Sequence, residues 1–186
     1  MFGRRFESAH LHSMEIGWYA VRVSYGRVLK FCAGLEKDGV EHFVPMCTRK
    51  VEKNGKRVAV SVPAVSNLCF VHTSRSALRE IFESMGESRF ASFFWDKATR
   101  EPIVVSDKAM ADFMQISRVM ADEALYLKDV TAKLQAGQKV RVLNGPFKGV
   151  EGTVIRIKRS RRVVVDFPGL LAIATTYIDP RDLELI

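Results

Sequence analysis

The sequence predicts two domains, an α+β domain with an antiparallel sheet and flanking helices, followed by a small all-β barrel. Two observations support this. Between residues 17 and 117, aromatic and β-branched runs alternate with stretches whose apolar residues repeat every three or four positions. After Gly137 the chain contains only short β-branched runs separated by turn residues, which suits a small barrel.

The first domain opens with GWYAVRVS, an aromatic and β-branched run that predicts a strand. A helix follows, with apolar residues on one face and Gly39 placed to end it. Those apolar residues are Val28, Phe31, Cys32 and Leu35. VEHFVPM predicts a second strand, and Asn54-Gly55 between two extended arms predicts a β-hairpin.

The second half of this domain repeats the pattern. NLCFVHT predicts a core strand, and a helix follows with Ser74 or Ser76 as its N-cap and Gly86 as its end. RFASFFWD and EPIVVS are extended segments. A last helix starts near Ser106, and its Met and Phe stripe indicates a core-facing surface rather than a cofactor site.

The domain boundaries follow from where these patterns stop. After Ser117 the segment ADEALYLKDVTAKLQAGQ has no sustained helical or strand face, which predicts a linker. We therefore expect a tail over 1–16, the α+β domain over 17–117, the linker over 118–136 and the barrel over 137–186. The predicted barrel strands are KVRVLN, GTVIRIK, RRVVVDF, LAIATTYI and DLELI.

The net charge of the 186 residues is +8, which favours a polyanionic partner, nucleic acid before membrane. A basic protein without such a partner is the alternative. Apolar runs are far shorter than the ~20 residues of a membrane span. The three cysteines are widely spaced and lack a CxxC pair, so we expect buried thiols, no disulfide framework and a cytoplasmic location.

Enzymatic chemistry is not indicated. The sequence shows no nucleophile–base set and no acidic pair at a defined spacing, so we expect no enzyme, no catalytic residue, no cofactor and no metal. His10 and His12 form an isolated HxH pair on the predicted tail. The glycine run from Gly145 to Gly152 leads into the strand-like TVIRIK instead of a helix, which excludes a phosphate loop and indicates tight turns.

These residues carry a family resemblance. GQKVRVLNGPFKGVEGTVIRI resembles a KOW motif, the strand–turn–strand of some ribosomal proteins and of NusG transcription factors. WYAVRVSYG, VEHFVPM, NLCFV and REPIVVSDKAMADF resemble the NusG N-terminal (NGN) domain in order and spacing. The resemblance covers about Gly17 to Ile186 and implies an NGN-like domain followed by an SH3-like KOW barrel. It suggests a specialised, UpxY-like paralogue of the Bacteroides type.

The resemblance implies an elongation and antitermination factor that acts as a monomer. Such factors bind RNA polymerase across its cleft, packing an apolar patch on the clamp helices of the largest subunit. Stabilising the closed, elongating state suppresses pausing and termination. The barrel recruits a ribosomal protein or a termination factor through the linker. The alternative is a ribosome-associated or RNA-binding KOW protein without a polymerase role.

Site residues are carried over by position. VSNLCFV matches the family's clamp-binding strand but lacks its large aromatic anchors, which Phe93 and its neighbours could supply. The polymerase-binding candidates are Val65, Leu68, Phe70, Phe93 and Phe94. His72 to Arg75 lie near the family's contact to the opposite side of the cleft.

Nucleic-acid candidates lie in both domains. The loop Ser24–Arg27 matches the place where specialised members touch the non-template DNA strand. Its candidates are Arg22, Tyr25, Arg27 and Lys30. A basic run in the barrel suits the phosphates of nascent RNA, with a solvated hairpin tip as the alternative. Its candidates are Lys158, Arg159, Arg161 and Arg162. Phe167, Pro168 and Leu170 match the loop that holds the protein partner of KOW barrels.

Overall fold

The computed structural model describes residues 16–53, 55–86, 90–120, 125–127, 137–157 and 159–186. Residues 1–15 of the predicted tail, including His10 and His12, lie outside them, as do Asn54 and Lys158. The chain divides into two compact units. Unit 1 contains the residues up to Pro45 together with Val65–Asp107, and unit 2 contains Met46–Ala64 and Lys108–Ile186.

Unit 1 is built on an antiparallel sheet. Its strands, numbered along the whole chain, are β1 (Ile16–Val23), β2 (His42–Phe43), β5 (Leu68–Ser74), β6 (Ala91–Phe93) and β7 (Val104–Val105). The strand order is β2-β5-β1-β6, and β7 also pairs with β1. Strands β1 and β5 have the longest register, from Ile16 opposite Ser74 to Arg22 opposite Leu68. The predicted strands are present, although VEHFVPM contributes only the two residues of β2 to this sheet.

Two helices cover one face of this sheet, α1 (Val28–Lys37) and α2 (Arg75–Ser84). The four apolar residues predicted for α1 are its buried residues. Ser74 caps α2, because its hydroxyl accepts a hydrogen bond from the Ala77 backbone N–H at 3.2 Å. The helices pack on Tyr19, Val21 and Val23 of β1 and on Cys69 and Val71 of β5. Periodicity and capping therefore predicted this layer correctly.

Unit 2 contains the predicted hairpin, formed by β3 (Met46–Lys53) and β4 (Lys56–Pro63). Gly55 has φ +71°, a left-handed conformation that glycine adopts without strain. Most of the side chains on both strands are exposed. The hairpin is thus a two-stranded ribbon whose register, Met46 opposite Pro63 through Lys53 opposite Lys56, follows from its turn.

The rest of unit 2 is a helix and a six-stranded antiparallel sheet. The helix is α3 (Asp107–Met120), whose first residue belongs to unit 1. The strands are β8 (Leu125–Leu127), β9 (Gln138–Val142), β10 (Glu151–Ile157), β11 (Ser160–Phe167), β12 (Leu171–Ala174) and β13 (Leu183–Leu185). They run in the order β13-β9-β10-β11-β12-β8. One turn of 3-10 helix, Pro180–Asp182, precedes β13.

Strand β8 corrects the sequence prediction, because it lies inside the segment expected to be linker. Leu125 and Leu127 pack on a buried cluster that includes Ile155 and Val164. Tyr126 points to the opposite face, where its hydroxyl lies 2.9 Å from that of Ser117. A strand of three residues is too short to show periodicity. Helix α3 also extends to Met120, and residues 121–124 and 128–136 lie outside the described part.

Candidate functional site

The loop between β1 and α1 exposes an aromatic ring. Tyr25 and Gly26 both have positive φ, +58° and +67°, so the chain turns sharply and directs the Tyr25 side chain outward. Tyr25 is 83% exposed. Its ring lies edge-on to Phe90, with 5.8 Å between centroids. The loop is held by the Ser24 N–H, which donates to the Phe90 carbonyl at 2.8 Å.

Two arginines lie over aromatic rings beside this loop. The Arg27 guanidinium is 3.8 Å from the centroid of Phe90, and that of Arg22 is 4.7 Å from the centroid of Phe94. We call these five residues the aromatic patch: Arg22, Tyr25, Arg27, Phe90 and Phe94. One exposed ring, Tyr25, and two half-buried rings interleaved with cations suit a single nucleic-acid strand, since bases stack on rings and phosphates meet charges. The structure thus brings together three of the four residues predicted for this loop, with Lys30 exposed on α1.

Phe90 was not predicted as part of this site. It precedes β6, more than sixty positions after Arg27, and only the folded chain brings the two together. The sequence contains no local signal for such a pair. Its aromatic character was visible in the run RFASFFWD, but its position was not.

Three of the five predicted polymerase-binding residues are buried. Leu68, Phe70 and Phe93 are 1%, 0% and 7% exposed. Strand β5 has neighbours on both sides, and its residues Leu68 to Val71 are all buried, so both of its faces are covered there. Val65 and Phe94 are half-buried and have accessible surface. Trp95, beside Phe94, is 48% exposed.

A cavity of about 670 Å³ opens on unit 1, lined by apolar residues of β1 and β7 and by charged residues. Arg75 and Glu101 line it and form an ion pair at 2.9 Å, and Asp107 lines it as well. His72 stacks on Trp18 with 4.9 Å between centroids. Its Nδ1 lies 2.9 Å from a Glu41 carboxylate oxygen. The segment His72–Arg75 therefore combines a polar network with a concave surface.

A second basic surface lies on the β10–β11 turn. Arg159 has φ +68° and is exposed at the turn, and Arg161 is exposed two residues later. Arg156 lies directly opposite Arg161 in the antiparallel register and is also exposed. We call Arg156, Arg159 and Arg161 the basic turn. Like charges directly opposite each other are unfavourable, and an anion placed between them would relieve that repulsion.

Arg162 points away from the basic turn. Neighbouring residues of a strand face opposite sides of the sheet, and Arg162 lies opposite Ile155. Its guanidinium donates a hydrogen bond to the Thr175 carbonyl at 2.8 Å. Arg162 is therefore bound by the sheet itself, whereas Arg156, which sequence reasoning missed, faces solvent with Arg161. The alternation of side chains along β10 and β11, counted outward from the turn, would have shown both that Arg156 faces the same side as Arg161 and that Arg162 does not.

The loop after β11 is only partly accessible. Phe167 is 3% exposed and stacks on Phe113 of α3, with 4.7 Å between ring centroids. Gly169, at φ +76°, forms the turn, and the Leu170 N–H donates to the Phe167 carbonyl at 2.9 Å. Pro168 is exposed and Leu170 half-buried. A partner thus reaches the tip of this loop more readily than Phe167.

Helix α3 is held on the sheet of unit 2 by a polar network around Asp112. This carboxylate is 4% exposed, accepts from Lys108 Nζ at 2.6 Å and accepts from the Glu151 backbone N–H at 3.1 Å. Lys108 also donates to the Gly149 carbonyl at 2.9 Å. Buried charge is stable here because it is paired and hydrogen-bonded. Phe113, which stacks on Phe167, follows Asp112 directly on α3.

Comparison with known families agrees with this architecture. The family model described as "Transcription termination factor nusG" matches residues 17–114, more than half of the chain. The chain belongs to the NusG family. A KOW motif model matches residues 136–166, which contain β9, β10 and most of β11. The NGN-plus-KOW fold predicted from sequence is thereby confirmed, in a family of transcription factors that bind RNA polymerase and are not catalysts.

Among solved structures, this NusG-family chain matches one described as "Domain interaction in Thermotoga maritima NusG". The two share 17% sequence identity over 94% of this chain and 99% of that one, with a TM-score of 0.46. No curated protein matches significantly. Within the described ranges, no helix has both the length and the apolar character needed to cross a membrane.

The NusG match extends beyond unit 1. It includes the β3–β4 ribbon and the first half of α3, which by their contacts belong to unit 2. The family match and the division into compact units therefore divide this NusG-family chain at different residues. The boundaries predicted at 117 and 137 stay a prediction.

Proposed function

We propose that this NusG-family protein is a transcription elongation and antitermination factor that binds RNA polymerase across its cleft. Holding the cleft closed suppresses pausing and termination, because a ligand that prefers the elongating state shifts the population toward it. The observation that carries the proposal is the NusG match over residues 17–114, which, apart from Ile16 of β1, includes the strands and helices described for unit 1. The protein would act in the cytoplasm as a monomer.

The contact to the clamp helices of the largest subunit is proposed for the accessible apolar residues. Val65 and Phe94 keep accessible surface, and Trp95, next to Phe94 in the chain, adds an exposed ring. Large aromatics supply much of the binding energy at interfaces. Leu68, Phe70 and Phe93 support this surface from the core. The cavity beside Arg75 is proposed for the contact on the opposite side of the cleft.

Within the aromatic patch, Arg22, Tyr25, Arg27 and Phe90 are proposed to contact the exposed non-template DNA strand, whereas Phe94 is assigned to the clamp contact. Tyr25 offers an exposed face for one base, and the ring-bound guanidinium groups of Arg22 and Arg27 are positioned for phosphates. A surface of this type supports the operon-specific, UpxY-like role rather than a general one.

The KOW region of unit 2 is proposed to bind two further partners. The basic turn would hold phosphates of nascent RNA, with Lys158 adding to its charge in the sequence. Pro168 and Leu170 would contact a ribosomal protein or a termination factor. A ribosome-associated role without polymerase is the second candidate, and the arginines of the basic turn are the observation that favours it.

The experiment that separates these candidates measures binding of purified RNA polymerase to the full chain and to Val65→Asp. A charge buried at the interface should weaken binding about ten-fold or more. Val119→Asp is the matched control, because Val119 is 44% exposed on α3 and is not proposed to touch polymerase. Both variants should melt at the wild-type temperature.

Two results would contradict the proposal. Wild-type affinity in a folded Val65→Asp variant would remove Val65 from the interface. Absence of polymerase binding by the wild-type chain, together with binding to ribosomes, would favour the second candidate. Leu68→Asp is unsuitable as a test, since Leu68 is 1% exposed and the variant is expected to unfold.

A further inference from the structure

Two of the three cysteines face each other in the core of unit 1. Cys32 lies on α1 and Cys69 on β5, and their Sγ atoms are 3.5 Å apart. Both belong to the buried core cluster, with Cys32 8% exposed and Cys69 0% exposed. Cys47, on β3 in unit 2, is half-buried. The sequence predicted buried thiols without a disulfide framework, and the fold brings two of them together.

Rigid elements hold both thiols in place. Cys32 lies in the middle of α1, next to the fully buried Phe31, and Cys69 lies opposite Val21 in the β1–β5 register. A disulfide needs the sulfurs at about 2 Å. The pair therefore has to close by about 1.5 Å, which side-chain rotation and a small shift of α1 can supply.

We propose that Cys32 and Cys69 form an oxidisable dithiol whose disulfide cross-links α1 to β5. Neither cysteine is among the residues of the polymerase and nucleic-acid surfaces proposed above. The oxidant is a hydroperoxide, because a small molecule can reach the slightly exposed Cys32 whereas a bulky disulfide cannot.

The two cysteines take different parts in the reaction. The two Sγ atoms share a hydrogen bond in which either thiol can be the donor, and this bond lowers the pKa of Cys32 and, with burial, raises the pKa of Cys69. The Cys32 thiolate attacks hydrogen peroxide, the O–O bond breaks, and Cys32 becomes a sulfenic acid with release of one water after protonation. The Cys69 sulfur then attacks the sulfenic sulfur, the S–O bond breaks and a second water leaves. Two thiols and one peroxide thus give one disulfide and two waters.

The cross-link joins residues 37 positions apart. Closing a loop of that length restricts the unfolded chain, so the oxidised protein should be more stable than the reduced one. The helix that it anchors starts directly after the Tyr25 loop and carries Lys30. Oxidation therefore fixes the element that supports one edge of the aromatic patch.

The test uses the full chain in its native state, treated with hydrogen peroxide, then denatured and alkylated. We expect the number of alkylatable thiols to fall from the three in the sequence to one, Cys47. Before alkylation, the mass of the oxidised protein should be lower than that of the reduced protein by two hydrogens. Peptide mapping should show Cys32 joined to Cys69. The melting temperature should rise by several degrees and return after treatment with a reductant.

Variants assign the roles. Cys47→Ser should still form the bond. Cys69→Ala should accumulate a sulfenic acid on Cys32 that dimedone labels, and Cys32→Ala should leave Cys69 unlabelled. The inference is overturned if the native wild-type protein keeps all three thiols after peroxide, or if its cross-link contains Cys47. Because these readings come from the wild-type chain, they decide the question even if a variant fails to fold.

Discussion

The aromatic patch and the basic turn both present arginines to solvent, but the fold positions those arginines in different ways. In the aromatic patch, Arg22 and Arg27 lie over rings at 4.7 and 3.8 Å, beside the 83% exposed Tyr25. In the basic turn, strand register and one positive φ place Arg156, Arg159 and Arg161. The aromatic patch therefore offers both aromatic ring faces and positive charge, whereas the basic turn offers positive charge alone.

This difference separates two kinds of recognition. An exposed ring stacks on an unpaired base, and an arginine held on a ring loses little freedom when it meets a phosphate. Arginines on a hairpin turn contact phosphates and carry no base information. The aromatic patch should therefore prefer single strands with free bases, and the basic turn should bind any strand with a salt-dependent affinity.

The largest effect is expected from the basic turn. Replacing Arg156, Arg159 and Arg161 together by Gln should flatten the slope of log K against log salt by about 2.1 for single-stranded RNA, at about 0.7 per phosphate. At about 0.15 M salt this corresponds to roughly 50-fold weaker binding. Fluorescence anisotropy with RNAs of different sequence measures it, and all should weaken alike.

A slope that does not change in this variant would make the basic turn a solvated hairpin tip. The matched control replaces the same number of cations on the β3–β4 ribbon, where Arg49, Lys53 and Lys56 are exposed. Equal losses from both variants would show that binding follows total charge instead of the geometry of the basic turn.

Tyr25→Ala should weaken binding of single-stranded DNA roughly ten-fold, within the ~1–3 kcal/mol that stacking on one base contributes. The salt slope should stay as in the wild type, since no charge is lost. Tyr25→Phe keeps the ring and should bind normally. If Tyr25→Ala instead changed the slope and left low-salt affinity intact, the proposed difference between the two surfaces would be wrong.

Local patterns predicted most of the fold. The buried face of α1, the Ser74 cap and the β3–β4 hairpin each depend on residues within a few positions of one another. Strand β8 did not follow from such a pattern, because its three residues form a strand only by pairing with β12. Tertiary contact, not propensity, makes that segment a strand.

The candidate sites were less predictable for two physical reasons. Contacts such as Arg27 with Phe90 join distant positions, and no local pattern shows them. Family position placed Leu68 and Phe70 at an interface, but the sequence could not show that both faces of β5 are covered. Arg162 is different, because the alternation of side chains along a strand is enough to place Arg162 and Arg161 on opposite faces of the sheet.

Arg162 should affect stability and leave binding unchanged, which sharpens the assignment of the basic turn. Arg162→Gln removes the donor to the Thr175 carbonyl and should cost ~1–3 kcal/mol of unfolding free energy. Arg161→Gln, one residue away and exposed, should leave the melting temperature unchanged. Urea denaturation and RNA titration of both variants test this. A lower salt slope for Arg162→Gln would place its charge on the nucleic-acid surface.

The smallest effect concerns Asp166, on the strand that leads out of the basic turn. Burial raises the pKa of Asp166 above its ordinary value of 3.8, so the folded protein holds this proton more tightly than the unfolded chain. Above its folded pKa, Asp166 carries a partly desolvated negative charge, which lowers the stability of the native state. Below 3.8 this carboxyl is protonated in both the folded and the unfolded state, so the destabilisation vanishes. Asp166→Asn should therefore raise the melting temperature at neutral pH, and the gain should disappear in acid.

Asp179 in the same unit gives the opposite sign and serves as the control for Asp166. Hydrogen bonds from Arg181 lower the pKa of Asp179 to about 2. Its stabilising effect is present above its ordinary value of 3.8 and is lost as the pH falls through about 2, so Asp179→Asn should lower the melting temperature at neutral pH. Melting curves of both variants between neutral and acid pH measure the two trends. Both substitutions remove one negative charge. If both melting temperatures shifted in the same direction, net charge would govern the stability of this unit. Opposite shifts of the two melting temperatures that vanish in acid would show that local burial and hydrogen bonding govern it.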